Sequence, residues 1–114
     1  MQIHQSAEDY LETILMLNQR MGRVRSIDVV NELGYTKASV SIAMKKLREN
    51  GYIAVDGEGN LTLLEPGREI AERIYSRHRL LTHFFVQLGV EEDIAAEDAC
   101  KAEHILSEQT LEKI

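Results

Sequence analysis

Reading from the N-terminus, Tyr10, Ile14, Leu17 and Met21 recur at the three- and four-residue spacing of one helical face, which predicts a helix from about Ala7 to Met21. Ser6, with Asp9 three residues on, resembles a capping box at its start, and Gly22 closes it. Asp9 and Glu12 stand at i and i+3 on a side largely opposite Tyr10, Ile14 and Leu17, and are therefore expected away from the core. Ser26 is placed to cap a second helix through Ile27, Val29, Val30 and Leu33, ended by Gly34. Thr36 is placed to cap a third through Val40, Met44 and Leu47 to Asn50 and Gly51. Two β-prone runs, Tyr52 to Val55 and Leu61 to Leu64, flank the polar stretch Asp56-Gly57-Glu58-Gly59-Asn60 and predict a hairpin. Three short helices followed by a hairpin predict a winged helix-turn-helix DNA-binding domain over residues 1–64.

The pattern then changes. Pro66 suits a helix start, and Ile70, Ile74, Leu81, Phe85 and Leu88 form one apolar stripe that predicts a helix of about six turns ending at Gly89. Glu91 to Leu106 predicts another helix, and Ser107 is placed to cap a last short one holding Leu111 and Ile114. The expected fold class is mainly α: a winged helix-turn-helix with a two-stranded β wing, followed by a helical segment over 65–114.

Composition bounds this picture. A chain of 114 residues holds one small domain or a compact pair of subdomains, and 44% hydrophobic residues with a single Pro exclude long disordered linkers. No apolar run approaches the ~18 residues of a membrane span, and Met1 to Gln5 carry no Arg-rich or apolar leader, so a cytoplasmic protein without a membrane partner is expected. The single Cys100 excludes an internal disulfide.

The net charge of −6 runs against DNA binding until its distribution is considered. Residues 65 to 114 hold eleven acidic against six basic side chains, giving −5, whereas residues 36 to 51 hold Lys37, Lys45, Lys46 and Arg48 against Glu49, giving +3. The second helix of a helix-turn-helix enters the major groove, where short polar side chains reach base edges and flanking cations meet phosphates. Thr36, Lys37, Ala38, Ser39, Ser41 and Lys45 fit that need, and Arg25 and Ser26 at the preceding helix start are candidates for phosphate contacts. A capped, solvated surface helix has a similar composition, and it is the wing that favours the DNA reading.

In the acidic half, Cys100, Glu103 and His104 put a thiol, a carboxylate and an imidazole at i, i+3 and i+4, on one face of the expected helix. Mn(II), Fe(II), Co(II) and Zn(II) accept that mixture of donors. Asp9, Glu12 and His78 are further candidate donors. Singly, each has a plainer role: Asp9 as a cap, Glu12 and Glu103 as solvated charges, Cys100 as a small core residue, His78 as a packed imidazole.

The stretches Glu8 to Ile14, Ser39-Val40-Ser41 ahead of Lys46-Leu47, Arg77 to Leu81 and Ala99 to Ser107 together resemble the diphtheria toxin repressor family, over nearly the whole chain. The resemblance implies a homodimeric repressor of metal-uptake or metal-homeostasis genes that binds a palindromic operator with Mn(II) or Fe(II), one or two ions per subunit, as corepressor. Zn(II) or Co(II) is expected to substitute in vitro. Its manganese-type branch implies Asp9, Glu12, His78, Glu103 and His104 as ligands, with Cys100 where that branch usually has Glu. The iron-type branch has Cys there but usually Met in place of Asp9, and Thr82 and Ala96 stand where its ancillary site expects Glu and His, so the donor set is a hybrid. The chain ends at Ile114, before the Src-homology-3-like third domain of iron-type members and the final helices of manganese-type ones. Two other readings compete: a metal-independent winged-helix regulator answering to a small molecule or protein, and a small metallohydrolase. The latter lacks a separate nucleophile or an arguable substrate pocket, so no enzyme is expected.

Overall fold

Helix α1 (Gln5–Met21) buries Tyr10 through Leu15 without a break, and Leu17. The computed structural model describes residues 5–114, so most of the stretch read as leaderless lies outside the described residues. The stripe read from Tyr10, Ile14 and Leu17 missed Leu11 and Leu15, which bury a second side of α1. A helix apolar on more than one side is covered on more than one side. Two expectations are corrected in consequence: Glu12, thought to lie off the core, is only 5% exposed, and Met21, counted in the stripe, is 50% exposed at the helix end. Ser6 lies inside the helix and does not cap it.

Helix α2 (Ser26–Leu33) starts one residue earlier than Ser26 would allow as a cap: Arg25 is the N-cap, and its backbone N–H donates to Asp28 Oδ2 at 2.9 Å. Helix α3 (Lys37–Glu49) opens as expected at Thr36, whose Oγ1 accepts from the Ser39 N–H at 3.1 Å. Strands β1 (Ile53–Val55) and β2 (Leu61–Leu63) pair antiparallel, with Ile53 opposite Leu63 and Val55 opposite Leu61. A bridge between Arg25 and Asn60, and the Leu61 N–H donating to Val24 O at 2.7 Å, tie the entry of α2 to the wing. Leu11, Ile14, Val24, Val29, Val40 and Ile53 are fully or almost fully buried, so three helices and the hairpin share one winged-helix core.

Helix α4 (Glu65–Gln87) carries the chain out of this first unit, which extends through Glu72, into a second of Arg73–Ile114. In the second unit α5 (Glu92–Ala102) and α6 (Glu108–Lys113) complete the helical part. Its core joins Leu81 of α4, Ala99 of α5 and Leu111 of α6, with Phe85, Ala102 and Leu106 packed against them. Alanines at 95 and 99 are fully buried, allowing close helix approach. Ser107 caps α6 through the Thr110 N–H at 3.2 Å, as its sequence signature predicts. Two expectations fail here. Leu88 lies beyond the end of α4 and is 67% exposed, and α5 stops at Ala102, so Glu103 is its C-cap and His104 belongs to the turn that follows.

Gly67 shows how tightly the start of α4 packs on the first unit. A Cβ there would lie 2.2 Å from the Tyr52 carbonyl oxygen and 3.3 Å from Leu11 Cδ2. An ordinary helical Gly→Ala exchange stabilises by about 1 kcal/mol. Gly67→Ala is expected to do the reverse, destabilising the protein by about 1–3 kcal/mol through overpacking, read as a lower denaturant midpoint in circular dichroism.

Candidate nucleic-acid interface and metal centre

On α3, Val40, Met44 and Leu47 are buried while Lys37, Ala38, Ser39, Ser41 and Lys45 face solvent. The Thr36 hydroxyl is committed locally, accepting from the Ser39 N–H and donating to Ser39 Oγ at 2.9 Å. Ser39 Oγ keeps its own proton for a partner, and Ser41 and the lysines stand around it on the exposed side. Arg25, also exposed, lays its side chain along the wing: a Cβ on Gly59 would stand 3.4 Å from Arg25 Nε. Ser26, half-buried, is the first residue of α2. The exposed side of α3, the start of α2 and the wing all lie within the first unit.

The wing turn is built on one carboxylate. Asp56 accepts from the Glu58 N–H and the Asn60 N–H, both at 2.9 Å, and from Asn60 Nδ2 at 3.0 Å. The Asn60 bonds first, then that of Glu58 and the charge of Arg23, hold its carboxyl below the usual 3.8. At the other end of the core, Tyr10 meets Tyr35 edge-on with ring centroids 5.9 Å apart. Burial, followed by the charges of Tyr35 and Asp9, raises the Tyr10 hydroxyl above 10.0.

In the second unit one group stands out. Glu103 is fully buried, with Oε2 3.1 Å from His78 Nδ1 and Oε1 3.4 Å from His104 Nε2, so its carboxylate lies between two imidazoles. The side chains of His78 and His104 are 20% and 2% exposed. Oε1 has no hydrogen bond among the described residues, although a buried polar atom ordinarily has at least one such partner. Donors bound at roughly 2.1 Å to a common ion lie about 3.0–3.4 Å apart in octahedral or tetrahedral arrangements. The two nitrogen–oxygen separations fall in that range, so the residues present fit a divalent transition ion on either side of the carboxylate.

Cys100 lies one turn before Glu103 on α5, is exposed rather than a core residue, and has its Sγ within 4.8 Å of a Glu103 carboxylate oxygen. Thus His78, Cys100, Glu103 and His104 gather in the second unit, while Asp9, half-buried, and Glu12, buried, are a turn apart on α1 of the first. Sequence reasoning overlooked Arg77. Its Nη1 donates to the Glu103 carbonyl at 3.3 Å and its Nη2 lies 3.6 Å from Glu108 Oε1, with the side chain 18% exposed. It braces the turn that carries Glu103 and His104. The available signal was its place beside His78 in a helix whose neighbouring turn holds the donors.

Residues 2–61 match the family described as the iron dependent repressor N-terminal DNA binding domain, and residues 64–114 match the iron dependent repressor metal binding and dimerisation domain. An uncharacterized helix-turn-helix transcriptional regulator of Methanocaldococcus jannaschii is 36% identical over 112 residues, covering 96% of this chain and 90% of that one. The transcriptional regulator MntR of Bacillus subtilis is 33% identical over 109 residues, covering 96% and 77%. Among solved structures, a manganese-dependent transcriptional repressor in complex with manganese superposes with a TM-score of 0.85 at 29% identity, covering 94% of this chain and 50% of that one. The manganese regulator SloR superposes at 0.81 with 26% identity, covering 99% and 52%. The chain therefore spans about half the length of these solved structures. With a winged helix in one unit, a buried carboxylate–imidazole cluster in the other and a match to both family domains in order, the chain belongs to the diphtheria toxin repressor family of metal-dependent, DNA-binding transcriptional regulators, a family of repressors and not of enzymes.

Proposed function

We propose that this chain is a homodimeric repressor of metal-uptake or metal-homeostasis genes whose affinity for a palindromic operator depends on Mn(II) or Fe(II). The observation that carries this reading is the Glu103 carboxylate, buried between His78 and His104 with Oε1 lacking a hydrogen bond. The Glu103 carboxylate offers a donor oxygen beside each imidazole, and these residues would hold one or two ions per subunit. Asp9 and Glu12 are proposed as further donors on the strength of the sequence, and Cys100 as a thiolate donor. When bound, a dication supplies the positive charge that the carboxylates of Asp9, Glu12 and Glu103 call for.

The donor set bears on the choice of ion. The carboxylates favour Mn(II) and Fe(II), while Cys100 adds a softer ligand that admits Zn(II) and Co(II) in vitro. The solved structures named as manganese regulators support Mn(II), and Cys100, where the chain resembles the iron-type branch, supports Fe(II). Residues 1–64 would form the DNA-reading half and 65–114 the metal-binding and dimerisation half. In the latter, Leu80, Val86, Leu88, Ile94 and Ile105 are exposed, which suits a surface covered by a second copy. No helix among the described residues is long and apolar enough to cross a membrane, and the regulator reading favours a cytoplasmic location.

A bound ion would then shift the balance between two states of the protein, the two-state element that a corepressor needs. Arg25, Ser26, Thr36, Lys37, Ala38, Ser39, Ser41 and Lys45 are the proposed DNA contacts, of which the cations should act mainly on phosphates.

Two measurements test this. In fluorescence anisotropy at fixed salt, the wild type is expected to bind duplex DNA tightly with Mn(II) or anaerobic Fe(II) and weakly in chelator. Glu103→Gln should lose at least about ten-fold of the metal-stimulated affinity while its chelator value stays unchanged. Equal wild-type binding in chelator would instead leave a metal-independent regulator. Arg77→Ala is expected to weaken Mn(II) binding by about ten-fold in calorimetry with helicity preserved. Glu108→Gln, at the 75% exposed end of the same contact, should change it little.

A further inference from the structure

Ile42 is at odds with its surroundings. It is 57% exposed, and among the described residues it is the sole large apolar side chain exposed on α3, whose other exposed positions are Lys, Ser, Ala, Arg and Glu. At about 100° per residue it projects nearly opposite Val40, Met44 and Leu47, the buried side of the helix. Ala38 stands one turn before it on the same line, with Ser41 and Lys45 beside it. A β-branched side chain is a poorer helix former than Ala or Lys and is stiff at χ1, so at a solvated position Ile42 stabilises α3 less than Ala or Lys would.

The chemistry narrows what such a residue can recognise. It has no donor or acceptor and cannot read the hydrogen-bonding pattern of a base edge. The apolar feature that the major groove displays is the C5-methyl group of thymine. Lys37, Lys45 and Lys46 on the same helix give the positive charge that draws α3 onto phosphates, and a stiff branched side chain projecting between them is then pressed toward the groove floor.

We propose that Ile42, with Ala38 as the small residue that lets the helix approach, packs against a thymine methyl and is a sequence-specificity determinant of this chain. The proposal rests on the reading of the chain as a DNA-binding repressor. It assigns base recognition to an apolar contact, with Ser39 and Ser41 left to polar ones.

The test uses the full chain with Mn(II) and a random-sequence duplex pool, from which a preferred sequence is selected. Each thymine in it is then replaced by uracil, which removes the methyl group alone, and affinity is followed by anisotropy at fixed salt. Wild type is expected to lose about three- to five-fold at one thymine, or at its symmetry mate, the size of one buried methyl group. Ile42→Ala should bind the parent duplex weaker by a similar factor and be indifferent to that replacement, and Ile42→Val should keep most of the dependence. Lys45→Ala should instead weaken binding evenly across all duplexes and flatten the salt dependence. Because Ile42 is exposed, unchanged melting curves will accompany these variants. Wild-type indifference to every uracil, or an equal loss in Ile42→Ala, overturns the assignment and leaves the repressor reading standing. Failure of the wild type to select any sequence with metal overturns both.

Discussion

A carboxylate removed from solvent must be compensated where it sits, since an isolated buried charge is far too costly to keep. In the second unit that requirement falls on Glu103, and the surrounding local features answer to it. Helix α4 brings His78 to one oxygen, and the turn after α5 brings His104 to the other. Arg77 holds the peptide of Glu103 itself. The apolar contact of Leu81, Ala99 and Leu111 holds the three helices in the positions that make this possible. The early end of α5 belongs to the same arrangement. Had the helix run on to Leu106, Glu103 and His104 would stand about 100° apart around its axis. With the helix stopped at Ala102, the turn folds the imidazole back to the carboxylate of the preceding residue.

The first unit solves a different problem with different means. A surface that meets DNA must stay polar and solvated until its partner arrives, so its order comes from short local bonds at its edges: Thr36 at the start of α3, Asp28 on the Arg25 amide, Asp56 within the wing turn. These bonds set the directions of exposed side chains without burying them. The overall charge of −6 is then no obstacle, because residues 36 to 51 around α3 carry a net +3 while most of the acidic excess lies in residues 65 to 114.

Much of this was legible in the chain itself. The order of three helices, a hairpin and three further helices follows from apolar spacing and from residues such as Thr36, Gly34, Ser107 and the glycines of the wing, because caps and turns depend on neighbours a few positions away. The candidate donors were legible by residue type and spacing, and the basic bias of α3 by simple counting. What sequence pattern misjudged was burial. Glu12 was placed away from the core by a stripe that overlooked Leu11 and Leu15, Cys100 was a plausible core residue and is exposed, and Leu88 fell outside its helix.

The sequence alone thus determined the winged-helix class, the element order and the chemical types available for a metal and for DNA, because each depends on local periodicity and composition. Tertiary structure decided which donors come together, since His78 and Glu103 are 25 positions apart and meet only through the packing of α4 against α5. It also decided the bracing role of Arg77, which reaches a carbonyl 26 positions away, and the exposure of Ile42. Contacts between distant positions leave no period in the chain, and burial belongs to the whole packed unit and not to any one helix.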